Sequence, residues 1–166
     1  MKKVIIGLAF GLVIAVALLV IAFNSNKSNE TNSPVDYLAS LPVKLPEGWR
    51  MDTSQKVVYN FINAKGENGG SVSTSPYEDS YEFGKPNHSS IIEDEYITVP
   101  LGKCRLITLD SDNGTAASGI TGTHNEYYAV LPLAGKITYT FNFTKNDKEL
   151  QTKEQFIEIL KSLSLK

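Results

Sequence analysis

The chain has 166 residues, of which 42% are hydrophobic, 20% charged and 10% aromatic, and its formal net charge is −2. This composition is typical of a globular protein and excludes a disordered, collagenous or large multidomain chain. Because the cationic residues form no basic stripe, the composition also argues against a nucleic-acid partner.

An uninterrupted apolar segment opens the chain. Residues 4–23 carry no charged side chain and follow Lys2 and Lys3. A helix of this length spans roughly 30 Å, the thickness of the hydrocarbon layer of a bilayer. We therefore predict that residues 1–23 form a single-pass cell-membrane anchor, with a cleaved signal segment as the alternative. By the positive-inside rule, we expect the two lysines to stay in the cytoplasm and the remainder of the chain to lie outside it.

The rest of the chain divides into a linker and one domain. Residues 24–35 are rich in Asn and Ser and contain nothing to bury, which is typical of a flexible tether. Residues 36–166 have the length and composition of a single globular domain. We assign them to an extracytoplasmic domain that the tether spaces from the membrane.

Alternating side chains predict several strands in the domain. Short strands are expected at 49–53, 56–63 and 71–75, and longer ones at 91–99, 103–110, 127–133 and 136–144, with a polar loop at 76–90. In the last strand, apolar residues at 137, 139, 141 and 143 alternate with polar ones. That alternation predicts one face in the core and one face in water.

A helix follows the strands. An apolar stripe at helical spacing comprises Phe156, Ile157, Ile159, Leu160 and Leu163. Strands in succession followed by a helix predict the α+β class, here an antiparallel sheet with a C-terminal helix packed on it.

The order of these features resembles a known fold. The segment Leu45-Pro46-Glu47-Gly48-Trp49 precedes the strands, and the aromatic strand 136–144 and the helix over 156–163 close the domain. Over about residues 40–166 this resembles the PsbP-like fold, including the small bacterial envelope proteins grouped with it. The resemblance implies an antiparallel sheet flanked by helices and a binding or accessory role. It carries over no functional residues.

The best candidate for a binding site is an aromatic and acidic patch over residues 77–96. Tyrosine is a common anchor of binding surfaces, and the candidates are Tyr77, Tyr81 and Tyr96, with Glu93 and Glu95. The two glutamates share one face of a strand because side chains alternate. The carboxylates of this region could instead form a calcium site, or simply an exposed edge whose charges discourage strand pairing.

Recognisable catalytic motifs are lacking. The only cysteine, Cys104, lies in an apolar run and is predicted to be buried, and no Gly-x-Ser-x-Gly or phosphate-binding loop occurs. We therefore expect a non-catalytic binding or accessory domain without a cofactor. Its partner would be an envelope protein, a peptide or a cell-wall polymer. The alternative is a small envelope hydrolase or metal-binding protein that uses His124 or His88 with the carboxylates of 78–95.

The anchor hypothesis makes the first testable prediction. We expect the full chain to sediment with membranes and to resist extraction at high salt and alkaline pH, because a span of this length partitions into the bilayer. Deletion of residues 4–23 should release the chain. Recovery of the full chain in the soluble fraction, or an intact mass that lacks the apolar segment, would contradict the prediction.

Overall fold

The computed structural model describes residues 33–114, 117–144 and 153–164. Within them lie two helices and seven strands: α1 (Pro34–Ala39), β1 (Arg50–Asp52), β2 (Val58–Ile62), β3 (Asn68–Pro76), β4 (Ser89–Val99), β5 (Gly102–Asp112), β6 (Thr123–Leu133), β7 (Ile137–Thr144) and α2 (Lys153–Lys161). The predicted α+β class is confirmed. The predicted anchor at 4–23 lies outside the described residues. No helix inside the described ranges is long and apolar enough to cross a membrane.

All seven strands form one antiparallel sheet in the order β1-β2-β3-β7-β6-β5-β4. Two meanders, β1 to β3 and β4 to β7, are each built from successive hairpins. They are joined by the pairing of β3 with β7, whose partners run from Gly70 opposite Phe143 to Pro76 opposite Ile137. The outermost strand of the second meander, β4, is an edge of the sheet.

The loop between β3 and β4 crosses one face of this sheet. β3 ends at Pro76, level with Ile137, whereas β4 begins at Ser89 at the opposite end of the sheet, level with Ser111. Three strands lie between β3 and β4, so the connection covers about 19 Å sideways at the usual strand spacing. Residues 77–88, here the crossing loop, contain no helix or strand, as predicted.

Both helices pack on the other face, here the helix face. Phe143 of β7 stacks against Trp49 with ring centroids 5.7 Å apart and against Phe156 of α2 at 5.2 Å. The predicted stripe of α2 is confirmed, since four of its members, Phe156, Ile159, Leu160 and Leu163, are buried and Ile157 is partly buried.

The short helix α1 is anchored at both ends. Ser33 and Asp36 form a reciprocal capping box at its start, and Leu38 is buried in the core of the helix face. The hydroxyl of Tyr139 donates a hydrogen bond to the carbonyl oxygen of Tyr37 at 3.1 Å. The helix begins at Pro34, within the range that the sequence assigns to the linker.

The opposite face, here the loop face, corrects one expectation. The sequence predicts that the second face of β7 lies in water, and this prediction is wrong. Thr138 is fully buried, and Thr140 and Asn142 are half-buried. The crossing loop covers this face: Phe83 lies 5.1 Å from the ring of Tyr128. A second, smaller buried layer therefore forms beneath the loop. The alternation of β7 alone could not reveal it, because the covering residues come from another segment.

The close approach of β3 to β7 requires a glycine. A Cβ atom at Gly70 would collide with the carbonyl oxygen of Asn142 and lie 3.2 Å from the Cα atom of Phe143. β3 has few large apolar side chains, and its pairing with β2 on one side and β7 on the other holds it in the sheet.

The stacked rings of the helix face provide the second prediction. Phe143→Ala should lower the free energy of unfolding by about 3–5 kcal/mol, because it removes a fully buried ring that contacts both Trp49 and Phe156. Urea unfolding of the full chain in mild detergent measures this change. Val57→Ala is the control, since Val57 is 60% exposed and its loss should change stability by less than about 0.5 kcal/mol. Equal effects of the two substitutions would contradict the role of the stack.

Candidate functional site

An open pocket of about 270 Å³ lies on the loop face, beside the start of the crossing loop. We call it the tyrosine pocket. It is lined by Tyr77, Glu78, Asp79 and Tyr81 of the crossing loop, Tyr96 of β4, Lys103 and Arg105 of β5, and Val130 and Pro132 of β6. The three tyrosines singled out in the sequence thus surround one cavity.

Strand register explains why these side chains meet. Tyr96 is paired with Arg105, and Arg105 is paired with Val130, so all three side chains point to the same face of the sheet. Lys103 and Pro132 lie two residues from Arg105 and Val130 and share that face. The crossing loop leaves the end of β3 on this side and supplies the remaining wall.

An ion pair holds one wall of the pocket. The guanidinium of Arg105 donates two hydrogen bonds to the carboxylate of Asp94, from Nε to Oδ1 at 2.9 Å and from Nη2 to Oδ2 at 2.7 Å. These hydrogen bonds lower the pKa of Asp94. Both side chains are about one-third exposed, so the pair contributes little to stability but fixes the orientation of Arg105.

Each tyrosine of the pocket has a polar or cationic neighbour. The Lys103 Nζ atom lies 4.1 Å from the ring centroid of Tyr96, a cation–π contact on a ring that is 60% exposed. The Tyr77 hydroxyl donates a hydrogen bond to Asp79 at 2.7 Å, which raises the pKa of Tyr77. The Tyr81 hydroxyl lies 3.3 Å from the Thr140 Oγ1 atom and so ties the loop to β7.

The two glutamates predicted for the same site lie elsewhere. Glu93 and Glu95 point to the helix face, where each carboxylate contacts Nζ of Lys153 at 2.6 Å. The hydrogen bond from Lys153 is the main cause of the lowered pKa of Glu93, and the Thr108 hydroxyl adds a second one. The structure therefore separates the five predicted residues: the tyrosines line the pocket, and the glutamates connect β4 to α2.

The two cationic residues of the pocket were not predicted from the sequence. Lys103 and Arg105 are two positions apart on β5 and so share a face, which their spacing could have indicated. Nothing in the sequence, however, says that this face is the one crossed by the tyrosine-bearing loop.

The acidic region does not assemble a metal site among the residues described. Glu93 and Glu95 lie on the helix face, while Asp94 on the loop face is paired with Arg105 and Asp79 accepts from Tyr77. No group of three or more His, Cys, Asp or Glu side chains in the described ranges could hold a metal ion.

The two histidines lie at the other end of the sheet from the tyrosine pocket. The ring of His124 has Nδ1 2.8 Å from Asn113 Oδ1 and Nε2 3.3 Å from Glu126 Oε1. Both nitrogens are thus engaged, so neither is directed at a nucleophile as a hydrolytic triad requires. His88 is exposed, with Nδ1 3.7 Å from the Asp112 carboxylate.

Cys104 is fully buried on the helix face, as predicted. Burial raises the pKa of its thiol to about 12, since the apolar surroundings disfavour the thiolate. A thiol in this state is a packing group and not a nucleophile.

Comparison with protein-family models finds no match for this chain, and comparison with curated proteins finds no significant relative.

The buried thiol provides the third prediction. In the native full chain, Cys104 should not react with a disulfide reagent at mildly alkaline pH, because its thiol is both covered and protonated. In denaturant the same chain should release one equivalent of chromophore. Fast labelling without denaturant would show that the helix-face core opens readily.

Proposed function

We propose that this chain is a membrane-anchored, non-catalytic binding or accessory domain of PsbP-like type that acts outside the cytoplasm. In this proposal the tyrosine pocket holds a partner from the cell envelope. The partner would be an envelope protein, a peptide or a cell-wall polymer.

The observation that carries the proposal is the convergence of Tyr77, Tyr81 and Tyr96 on one pocket. Two of these rings come from an irregular loop and one from an edge strand, yet all three line the same open cavity. Aromatic rings beside a few fixed polar groups are typical of ligand sites. Arg105, held by Asp94, supplies such a fixed group.

The proposed location rests on the sequence. An apolar segment long enough to span a bilayer is followed by a polar stretch, residues 24–32, ahead of α1. Such a tether lets a domain search a short radius above the membrane, which suits the capture of a partner confined to the same surface.

The hydrolase alternative has less support. It needs His124 or His88 to work with the carboxylates of 78–95, but the histidines lie at one end of the sheet and the tyrosine pocket, with Glu78 and Asp79, at the other. Both ring nitrogens of His124 already face side-chain oxygens.

The proposal predicts a partner that depends on the pocket. Crosslinking in native membranes, with the full chain tagged at its C-terminus, should capture a reproducible partner. Combined substitution of Tyr77, Tyr81 and Tyr96 by Ala should abolish the capture, because it removes the aromatic walls of the pocket. Mass spectrometry identifies the captured species.

The matched control is Ile120→Ala, which removes a side chain that is 59% exposed and outside the pocket. It should leave the capture unchanged. Thermal unfolding checks that the triple variant is folded. An empty capture, or one that the triple variant retains, would refute the proposed role of the pocket.

A further inference from the structure

Among the described residues, no strand pairs with the outer side of the edge strand β4, which lies beside the tyrosine pocket. It is an eleven-residue strand at the end of the sheet, and nearly all of its side chains are half-buried or exposed. Tyr96 belongs both to this edge and to the lining of the pocket. A ligand could therefore contact the edge and the pocket at once.

The hairpin geometry shows which backbone groups of β4 face outward. β4 and β5 are connected by the two-residue turn Pro100-Leu101, which closes on the pair Val99 and Gly102. The residues that close such a turn exchange hydrogen bonds with each other. Every second residue then points its N–H and C=O groups away from β5, and in this strand these residues are Thr98, Tyr96 and Asp94.

The bulge at Ile92 limits the regular part of the edge. The register shifts between Ile91 and Glu93, so residues 93–99 form an uninterrupted stretch and residues 89–91 a separate one. Seven regular residues slightly exceed the usual strand length of about five or six, so one short extended segment could pair there.

The size of the pocket suits one side chain. Its volume of about 270 Å³ lies just below the roughly 300–1,000 Å³ usual for pockets that enclose whole small molecules. In recognition by strand addition, backbone hydrogen bonds supply affinity and pockets for alternate side chains supply specificity.

The charges around the edge favour a cationic ligand. On the loop face, the three carboxylates of Glu78, Asp79 and Asp94 stand against the two cations Lys103 and Arg105. On the helix face, Glu93 and Glu95 stand against Lys153. Each side of the edge thus carries one negative charge in excess. A second copy of the chain paired antiparallel around Asp94 would bring like charges together and is disfavoured.

We propose that β4 pairs with an extended peptide and that the tyrosine pocket binds a lysine or arginine side chain of that peptide. This inference rests on the binding function proposed above and names its ligand. The apolar stem of the cationic side chain would lie along the exposed ring of Tyr96, and its charged end would reach the carboxylates of Glu78 and Asp79. The Lys103 ammonium group already lies 4.1 Å from the centroid of the Tyr96 ring, so the side chain of the peptide would take the place of Lys103 on that ring.

The test uses a fluorescent nine-residue peptide in which lysine alternates with threonine or valine, so that the lysines share one face when the peptide is extended. Fluorescence anisotropy with the full chain in detergent should show saturable binding. The counterpart with glutamate in place of lysine should bind at least about tenfold more weakly, since it loses its charge-assisted contacts. Equal binding of the two peptides would overturn the cationic specificity.

Strand addition is tested from both sides of the interface. N-methylation of alternate amides in the lysine peptide should weaken binding at least about tenfold, because it removes backbone donors and leaves every side chain in place. On the protein, Thr98→Pro removes an outward-facing donor at the edge and should have a similar effect. The methylated peptide keeps the test decisive if this variant does not fold.

The remaining outcomes separate this inference from the proposed function. Capture of a partner through the pocket, combined with unchanged binding of the methylated peptide, would overturn strand addition and leave the binding function standing. Light scattering could instead detect a dimer that Thr98→Pro makes monomeric. If the peptide does not compete with this dimerisation, the edge pairs with a second copy of the chain. Capture of a polysaccharide whose binding is insensitive to Thr98→Pro would also overturn the proposal that the ligand is a peptide.

Discussion

The pairing of β3 with β7 is the constraint on which the rest of the structure depends. The first meander joins the second through β7, although the next strand in the chain after β3 is β4. Three strands, β7, β6 and β5, therefore lie between β3 and β4 in the sheet. The crossing loop is the consequence. It runs across the loop face, packs Phe83 against Tyr128 and supplies Tyr77 and Tyr81 to the pocket.

The same arrangement leaves β4 at the edge but holds it on both faces. On the helix face, Lys153 of α2 contacts Glu93 and Glu95. On the loop face, Arg105 holds Asp94. Each contact is partly exposed and individually weak. Together they keep the backbone of the strand in place and engage side-chain charges that would otherwise oppose an incoming strand.

The sequence predicts those parts of the fold that depend on local periodicity. The alternation in 137–144 and the apolar stripe of α2 indicate an antiparallel sheet covered by a helix, and the structure agrees on the core side of both elements. The long polar loop is also recognisable from its composition. These features lie within single segments, so their side chains carry the information themselves.

The remaining features depend on contacts between distant segments. Residues 71–75 are small and, apart from Val72, polar, and nothing in them indicates a strand paired on both sides. The proximity of Lys103 and Arg105 to the tyrosines follows from the path of the crossing loop. The alternation of side chains in β4 places Glu93 and Glu95 on one shared face of the strand. It does not indicate that the three tyrosines line a pocket on the opposite face of the sheet, because that depends on the path of the crossing loop.

The junction between the two meanders also bears on how the chain folds. Each meander can form from neighbouring hairpins, whose loops are short and cost little entropy to close. The β3 and β7 partners, in contrast, are roughly sixty to seventy residues apart along the chain. Non-local pairing of this kind slows folding, so we expect the two meanders to join more slowly than the hairpins within each of them form.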